Sequence, residues 1–287
     1  MTTIAFVTYR DLPHLTDSDR LVMPYLEQHN VTVAGVAWDD PGVMWSDYRA
    51  VIPRSCWDYH LRPAAFAEWL SRLEQHNVLL LNPAPIVRWN MHKRYLHDLT
   101  RQGVPIPPTV WLASGSTVNL ERLLAESGWD EAVVKPCVSA TAYQTWRVSR
   151  ASAVEQQATL NAMLQQGDVL VQQFIPQVVS TGEWSLIFFN NQYSHAVLKR
   201  AKVGDFRVQS DFGGTTARGE PTASLRAQAA GILSSLPEPL LYARIDGVEV
   251  DGAFVLMELE LIEPALFLGS HPDAPQRFAH AILDHLQ

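Results

Sequence analysis

YARIDGVEVDGAFVLMELELIEPALF, residues 242–267, is two apolar runs on either side of Asp251-Gly252. Asp-Gly between strand-like residues is a short hairpin signal. The acids break the apolar pattern: Asp246 ends the first run, and Glu258 and Glu260 interrupt the second at a spacing of two. Residues two apart on a strand share a face, and like charges set side by side repel unless a cation or base sits between them. Loop length decides what joins them. A loop of Asp251 and Gly252 alone puts Asp246 on the opposite side, whereas an odd loop, for example residues 250–252 with a bulge, brings Arg244, Asp246, Glu258 and Glu260 onto one face. We expect the odd loop. Oxygen ligands without Cys or His suit magnesium, which takes one or two carboxylates and completes its octahedron with phosphate oxygens and water. The competing reading is the solvated face of an amphipathic hairpin, since acid clusters on sheets are common.

The chain of 287 residues, 47% hydrophobic, is long enough to bury a large core in two or three lobes. A net charge of -8 argues against nonspecific binding to nucleic acid or an anionic membrane, so an anionic ligand must be met by locally placed Lys and Arg. The opening MTTIAFVTYRD runs straight into a strand pattern with no basic-then-apolar leader, and no apolar run is long enough to span a bilayer; a soluble, cytoplasmic protein is expected. Cys56 and Cys137 are the only cysteines, too few for a disulfide framework or zinc site, and read as two buried thiols.

Residues 4–9, 31–38, 51–53 and 78–81 read as strands, and 18–29 and 63–76 as helices. That alternation predicts a doubly wound parallel sheet covered on both faces, with neither GxGxxG nor a P-loop. Arg54, Ser55, Trp57, Asp58 and Tyr59 follow the third strand, where such sheets put their ligand crevice. Arg54 or Asp58 suits an amino-acid head group, and Trp57 and Tyr59 equally suit packing between lobes. Residues 82–85, Asn-Pro-Ala-Pro, read as a linker, followed by a helix bearing Lys93 and Arg94 and a Pro-rich approach to a strand at 104–108.

A helix at 118–126 precedes AVVKP, residues 132–136, an apolar strand closed by Lys135. Burying an ammonium is costly without a partner, so Lys135 wants an anion. Residues 138–145, VSATAYQT, form a small-residue loop that suits phosphate oxygens or an ordinary hairpin turn. A helix at 153–166 and a strand at 169–176 come next, then a hairpin of 183–189 and 193–198 about Asn190-Asn191. Lys199, Arg200, Phe206 and Arg207 lead to a polar loop, Gly213-Gly214-Thr215-Thr216, and helices at 225–236 and 276–285 flank the acidic hairpin.

A lysine after the first lobe, a strand ending Val-Val-Lys-Pro, a small-residue loop, a strand ending Gln-Gln-Phe-Ile, then Arg-x-Asp and Glu-x-Glu, in that order, resemble the ATP-grasp superfamily. Arg88-Trp89-Asn90 with Lys93-Arg94-Tyr95-Leu96, and MELELIEP at 257–264, look like its bacterial glutathione-synthetase-like branch, which includes a ring-closing ligase of antibiotic biosynthesis. The likeness covers most of the chain from Asn82 onward; each motif is weak alone, and the ordered set is specific. It implies an ATP-grasp fold of three lobes: a Rossmann-like α/β substrate lobe over 1–84, a central α+β lobe with a phosphate lid over 85–176, and a C-terminal α+β lobe with the metal site over 177–287, the last two clasping ATP.

The resemblance further implies that Lys93 and Lys135 contact ATP phosphates, Lys135 also lying near adenine. Ser139, Ala140, Thr141 and Ala142 would form the mobile lid, and Gln172, Gln173, Phe174 and Ile175 the adenine hinge, with the Phe174 and Ile175 backbone reading the base edge. Asp246, Glu258 and Glu260 would hold magnesium. Three features depart from the family pattern. Gln173 stands where an acid usually contacts ribose. Glu260 stands where Asn is usual, which tightens Mg2+ or admits Mn2+. Ala140, Thr141 and Ala142 replace glycines, which implies a stiffer or differently shaped lid.

The implied activity is an ATP-dependent, ADP-forming ligase that phosphorylates a carboxylate and lets an amine displace phosphate, joining two molecules or closing a ring, on an amino-acid-like compound of natural-product or peptide-like metabolism. Such chemistry asks for positioning and charge neutralisation rather than covalent help from the protein. Arg244 would neutralise the carboxylate or the transferring phosphoryl group. Lys199 and Arg207 are candidates for the γ-phosphate or substrate, and Glu183 for the nucleotide or a substrate ammonium; each equally suits a surface ion pair. A small-molecule kinase and a non-catalytic nucleotide-binding protein stay open as alternatives. The expected partners are small carboxylate and amine substrates, with a homodimer as the family habit.

Overall fold

β1 (Thr2–Thr8), β2 (Val31–Ala37) and β3 (Val51–Pro53) pair in parallel in the order β2-β1-β3, as runs of Val, Ile and Ala with few polar breaks require of a sheet covered on both faces. The structure, a computed structural model, describes residues 2–237 and 239–287. One face takes the helix Pro63–Gln75, whose Phe66, Trp69, Leu70 and Leu73 recur at helical spacing and meet Trp38 and Cys56. The other takes the C-terminal helix Ala274–Asp284, where Phe278 lies 6.3 Å from Phe6 and stacks at 4.9 Å on Phe189. The first and last parts of the chain therefore share one core. Among the described residues no helix is long and apolar enough to cross a membrane.

Several expectations for this half of the chain are corrected. Residues 78–81 contribute only an isolated bridge, Leu80 to Val51, so the sheet has three strands and not four. Residues 18–29 are two short helices, Asp17–Arg20 and Met23–Glu27, because Pro24 has no N–H to continue the first and sits instead in the opening turn of the second. The supposed linker is a helix start: Pro83 caps Ala84–Asn90 and Pro85 fills its first turn. A turn then separates this helix from Tyr95–Arg101. Arg54 does not face a ligand. It is buried, donates to Asp19 at 3.0 Å and to the carbonyl of Pro264 at 2.9 Å, and its guanidinium lies 5.0 Å over the Tyr242 ring. Asp58 is likewise engaged, by Trp38 Nε1 at 2.8 Å and by Arg62.

The second sheet comprises β4 (Thr109–Leu112), β5 (Glu131–Pro136), β6 (Trp146–Ser149) and β7 (Val169–Gln173), antiparallel in the order β4-β7-β5-β6 and backed by helices Leu120–Ser127 and Ala153–Gln166. The third comprises β8 (Glu183–Phe189), β9 (Gln192–Arg200), β10 (Thr215–Gly219), β11 (Tyr242–Val250) and β12 (Ala253–Glu260), in the order β10-β9-β8-β11-β12. β10 falls where a loop was expected. Its side chains are almost all exposed, so no buried alternation marks it.

The decisive hairpin reaches the expected face by a different route. Its loop is Asp251-Gly252 alone, both at positive φ (51° and 80°), as a two-residue hairpin turn demands. The odd residue is Met257, a bulge inside β12: Asp246 pairs with Glu258 but Gly247 with Leu256. Gly247 is needed there because a Cβ would stand 2.4 Å from the Phe254 ring and 2.7 Å from the Val255 carbonyl. Among the described residues the outer edge of β12 has no strand neighbour. Asn90 instead bonds the carbonyl of Leu259 at 2.8 Å and the N–H of Leu261 at 2.9 Å, the Leu259 N–H donates to Tyr95 at 3.0 Å, and Asn82 bonds the carbonyls of Leu261 at 2.8 Å and Tyr242 at 2.9 Å.

Cutting one partner from a buried ion pair leaves the other charge uncompensated. Arg54→Met is expected to lower the unfolding free energy by about 3–5 kcal/mol, measured by urea denaturation, and adding Asp19→Asn should restore part of the loss.

Candidate active site

The bulge aligns a strip of charge across four strands of the third sheet. Arg244 lies opposite Glu260 and Asp246 opposite Glu258, while on the other side Asp246 faces Ser185 and Glu183 faces Lys199. Asp246, 2% exposed, accepts from Ser185 Oγ at 2.6 Å, Lys199 Nζ at 2.9 Å and Arg244 at 3.0 Å. Lys199 also reaches Glu183 at 2.5 Å, and Arg244 reaches Glu260. Glu183 is therefore half of an ion pair in this structure, and no ligand-free surface charge.

Lys93 was expected on a helix surface. It sits in the turn between Ala84–Asn90 and Tyr95–Arg101 and is 6% exposed. Its N–H is held by the Cys137 carbonyl at 2.7 Å, which turns the ammonium onto Glu258 and, at 3.4 Å, the Ser139 carbonyl. Lys135, at the end of β5, makes no ion pair among the described residues. Beyond it, the loop at 138–145 places Thr141, Ala142 and Gln144 at φ of 50°, 53° and 49°. A left-handed conformation costs an L-residue roughly 1–2 kcal/mol, so this loop adopts glycine-like geometry without glycines.

At the end of β7, Gln172 is buried and bonds Thr109 Oγ1 at 3.0 Å. The Gln173 N–H is taken by the Pro108 carbonyl at 2.8 Å, and the Phe174 N–H by the Glu131 carbonyl at 3.1 Å. That removes the Phe174 N–H as a base-edge donor; among the described residues the Ile175 N–H and the Phe174 carbonyl keep no such partner. The Phe174 ring meets Phe206 edge-on at 6.3 Å. Arg207 is bound to Asp205 at 2.7 Å and lies 3.7 Å over Phe212.

One cavity of about 360 Å³ is bounded by Glu183, Lys199, Arg244, Asp246, Glu258 and Glu260 of the charged strip, Lys93, Lys135, the loop from Ser139 to Ala142, the hinge from Gln172 to Ile175, and Arg207. The charges balance within it. Burial works against the Lys93 ammonium, but Glu258 outweighs it and holds the lysine above its ordinary value. Burial likewise opposes charge on Asp246 and Glu258, yet Arg244 and Lys199 hold the first low, and Lys93 and Lys135 the second. Glu260 goes the other way, pushed up by burial and by Asp246 and Glu258 beyond what Arg244 recovers. Burial pushes Lys135 down, which suits a lysine awaiting an anion.

Three carboxylates on one face are hard oxygen donors of the kind that fit Mg2+ or Mn2+. Among the described residues no three acidic, His or Cys groups converge in ligand geometry, because each carboxylate is turned to its own cation. A divalent ion held by these three carboxylates would have to displace those cations.

Two acidic residues of the cavity wall escaped the sequence reading, the exposed Asp211 and the half-buried Glu263. Glu263, three residues past β12, lines the cavity, and its carboxylate has no side-chain hydrogen bond or ion pair among the described residues. Its neighbour Pro264 and the apolar run before it gave it the look of a strand end. The only signal was that it repeats the acid theme of Glu258 and Glu260 off their period. Both cysteines are buried and unpaired, as expected.

The fold and this cavity define an ATP-grasp ligase. The D-alanine–D-alanine ligase of Bacillus anthracis, solved in complex with ATP, superposes with a TM-score of 0.72 over 100% of this chain and 97% of its own at 14% identity. The crystal structure of D-cycloserine synthetase DcsG superposes at 0.88 over 99% of this chain and 100% of its own, at 32% identity. In sequence, cycloserine biosynthesis protein DcsG of Streptomyces lavendulae is 33% identical over 292 residues, covering 96% of this chain and 94% of that protein, and the family model described as the N-terminal domain of D-cycloserine synthetase DcsG matches residues 4–82. The chain belongs to the DcsG family of ATP-dependent ligases. The ATP-grasp resemblance carried by the ordered motifs is thus borne out.

Burial, then Glu260 and Glu258, push the Glu263 carboxyl up to about 8, whereas in an unfolded chain a glutamate titrates near about 4.3. The folded protein holds that proton where the unfolded chain does not, so this group's contribution to stability declines as pH rises between those values. Glu263→Gln is free of the decline: its Tm minus that of the native protein is expected to grow from about pH 5 to about pH 8 and then level off, as read by calorimetry.

Proposed function

We propose that this protein is an ADP-forming carboxylate–amine ligase that works through an acyl phosphate on an amino-acid-like small molecule, and that its nucleophile lies on the same molecule, so that it closes a ring. The observation that carries the reading is the meeting of Lys93, Lys135, Lys199 and Arg244 with three carboxylates on the walls of one cavity. Ring closure is favoured by the relationship to a protein named D-cycloserine synthetase.

In this reading Lys93 and Lys135 take ATP phosphates under the loop from Ser139 to Ala142. The Ile175 N–H and Phe174 carbonyl receive the adenine edge beside Gln172 and Gln173. Asp246, Glu258 and Glu260 hold Mg2+, with Mn2+ as a substitute. Bound there, the ion neutralises phosphate charge and orients the γ-phosphoryl group. Arg244 orients the substrate carboxylate for attack on the γ-phosphorus, with ADP leaving. Lys199, released from Asp246 and Glu183, meets the charge on the transferring group, and Arg207 closes the cavity over it. The amine nitrogen then attacks the acyl carbon, and phosphate leaves with its bonding electron pair. Residues 1–84, 85–176 and 177–287 serve as the substrate, lid and metal lobes.

The test is incubation with Mg-ATP, hydroxylamine and a panel of amino acids and small carboxylic acids, following ADP and hydroxamate together. Hydroxamate that depends on one acid is expected, and Asp246→Asn should cut it by at least about a hundredfold. A stable phosphorylated product in place of hydroxamate would make the protein a kinase instead. Glu260→Asn should stay active but need several-fold more Mg2+ for half-maximal rate, because one ligand charge is lost.

A further inference from the structure

We infer that Glu263 receives the ammonium group of the substrate and makes the enzyme selective for acids that carry an amine. This rests on reading the cavity as one that activates an amino acid's carboxylate.

Four acids of the third sheet, Glu183, Asp246, Glu258 and Glu260, each hold a cation. Among the described residues two further acids line the same cavity and hold none, Asp211, which is exposed to solvent, and Glu263, which is half-buried. Glu263 is not there by default of packing, because its backbone is fixed from both sides. Trp57 Nε1 donates to the Glu263 carbonyl at 3.1 Å, and two residues on, the Ala265 carbonyl accepts from Arg244 at 3.2 Å. Trp57 and Tyr59, from the first lobe, line the cavity with it. An acid without a partner offers an arriving ammonium a hydrogen-bond acceptor and, because a nearby cation favours the ionised form, a counter-charge. The nearby Glu258 and Glu260 make that end of the cavity hostile to a second anion.

Arg244, bonded to the Ala265 carbonyl two residues past Glu263, lines the same cavity, so a group suited to a carboxylate and one suited to an ammonium share its walls, as the two charges of an α-amino acid require. A substrate ammonium would supply the partner Glu263 lacks and remove the unfavourable state of an unpaired, half-buried acid.

The test compares D-serine with D-glycerate, and D-alanine with D-lactate, pairs that differ by the amine alone, in the hydroxylamine assay with native protein, Glu263→Gln and Glu263→Asp. Native protein should favour the amino member of each pair. Glu263→Gln should raise the KM for the amino acid roughly 10- to 100-fold, leave the KM for ATP unchanged, and abolish the preference within each pair. Glu263→Asp should keep much of it. An unchanged preference in Glu263→Gln, or a fall in kcat alone, overturns the inference and leaves the ligase reading standing. Hydroxamate from none of these acids with native protein overturns the amino-acid reading and this inference with it.

Discussion

One extra residue sets the active face. Without Met257 in the ladder, a two-residue turn would leave Asp246 and Glu258 on opposite sides of the sheet; with it, two strands deliver an arginine and three acids to one surface. The bulge is paid for locally by Gly247, the position where no side chain fits against Phe254. The cost of a broken ladder is small beside what depends on it, since every ion pair of the charged strip except Lys199–Glu183 runs through Asp246, Glu258 or Glu260.

The strip is charge-balanced with the protein's own side chains. Lys199 bridges Glu183 and Asp246, Arg244 bridges Asp246 and Glu260, and Lys93 closes on Glu258. Buried ions of one sign would oppose folding, and the alternation avoids that while keeping cations and carboxylates within reach of a polyphosphate and a metal. In the proposed reading, binding is an exchange of partners inside an already polar cavity, with less desolvation to overcome than an apolar pocket would present.

How far the sequence could be read follows from what each contact encodes. Parallel strands announced themselves through unbroken apolar runs, and Lys135 through the oddity of an ammonium at the end of AVVKP. The face shared by Asp246, Glu258 and Glu260 was legible from period alone, but the place of the compensating residue was not, because a bulge at Met257 and a longer loop satisfy the same parity. Arg54 looked like a ligand residue since its position after β3 is where crevices form; only the fold shows Asp19, Pro264 and Tyr242 closing round it from distant parts of the chain. β10 and Glu263 were missed for opposite reasons, the one having no buried face to create a pattern and the other being hidden inside a pattern.

The unpaired side of β12 bears on how the chain is made. A bare strand edge is a template for any other strand that drifts near. Here Asn90 and Tyr95 occupy that edge with side-chain groups, and Asn90 lies 169 residues ahead of the Leu259 carbonyl it binds. During synthesis the clamp emerges long before the strand it clamps, so nascent β12 meets a waiting amide and phenol within its own chain. A strand of a second copy then finds that edge already taken, on the strand that carries two of the cavity's acids, Glu258 and Glu260.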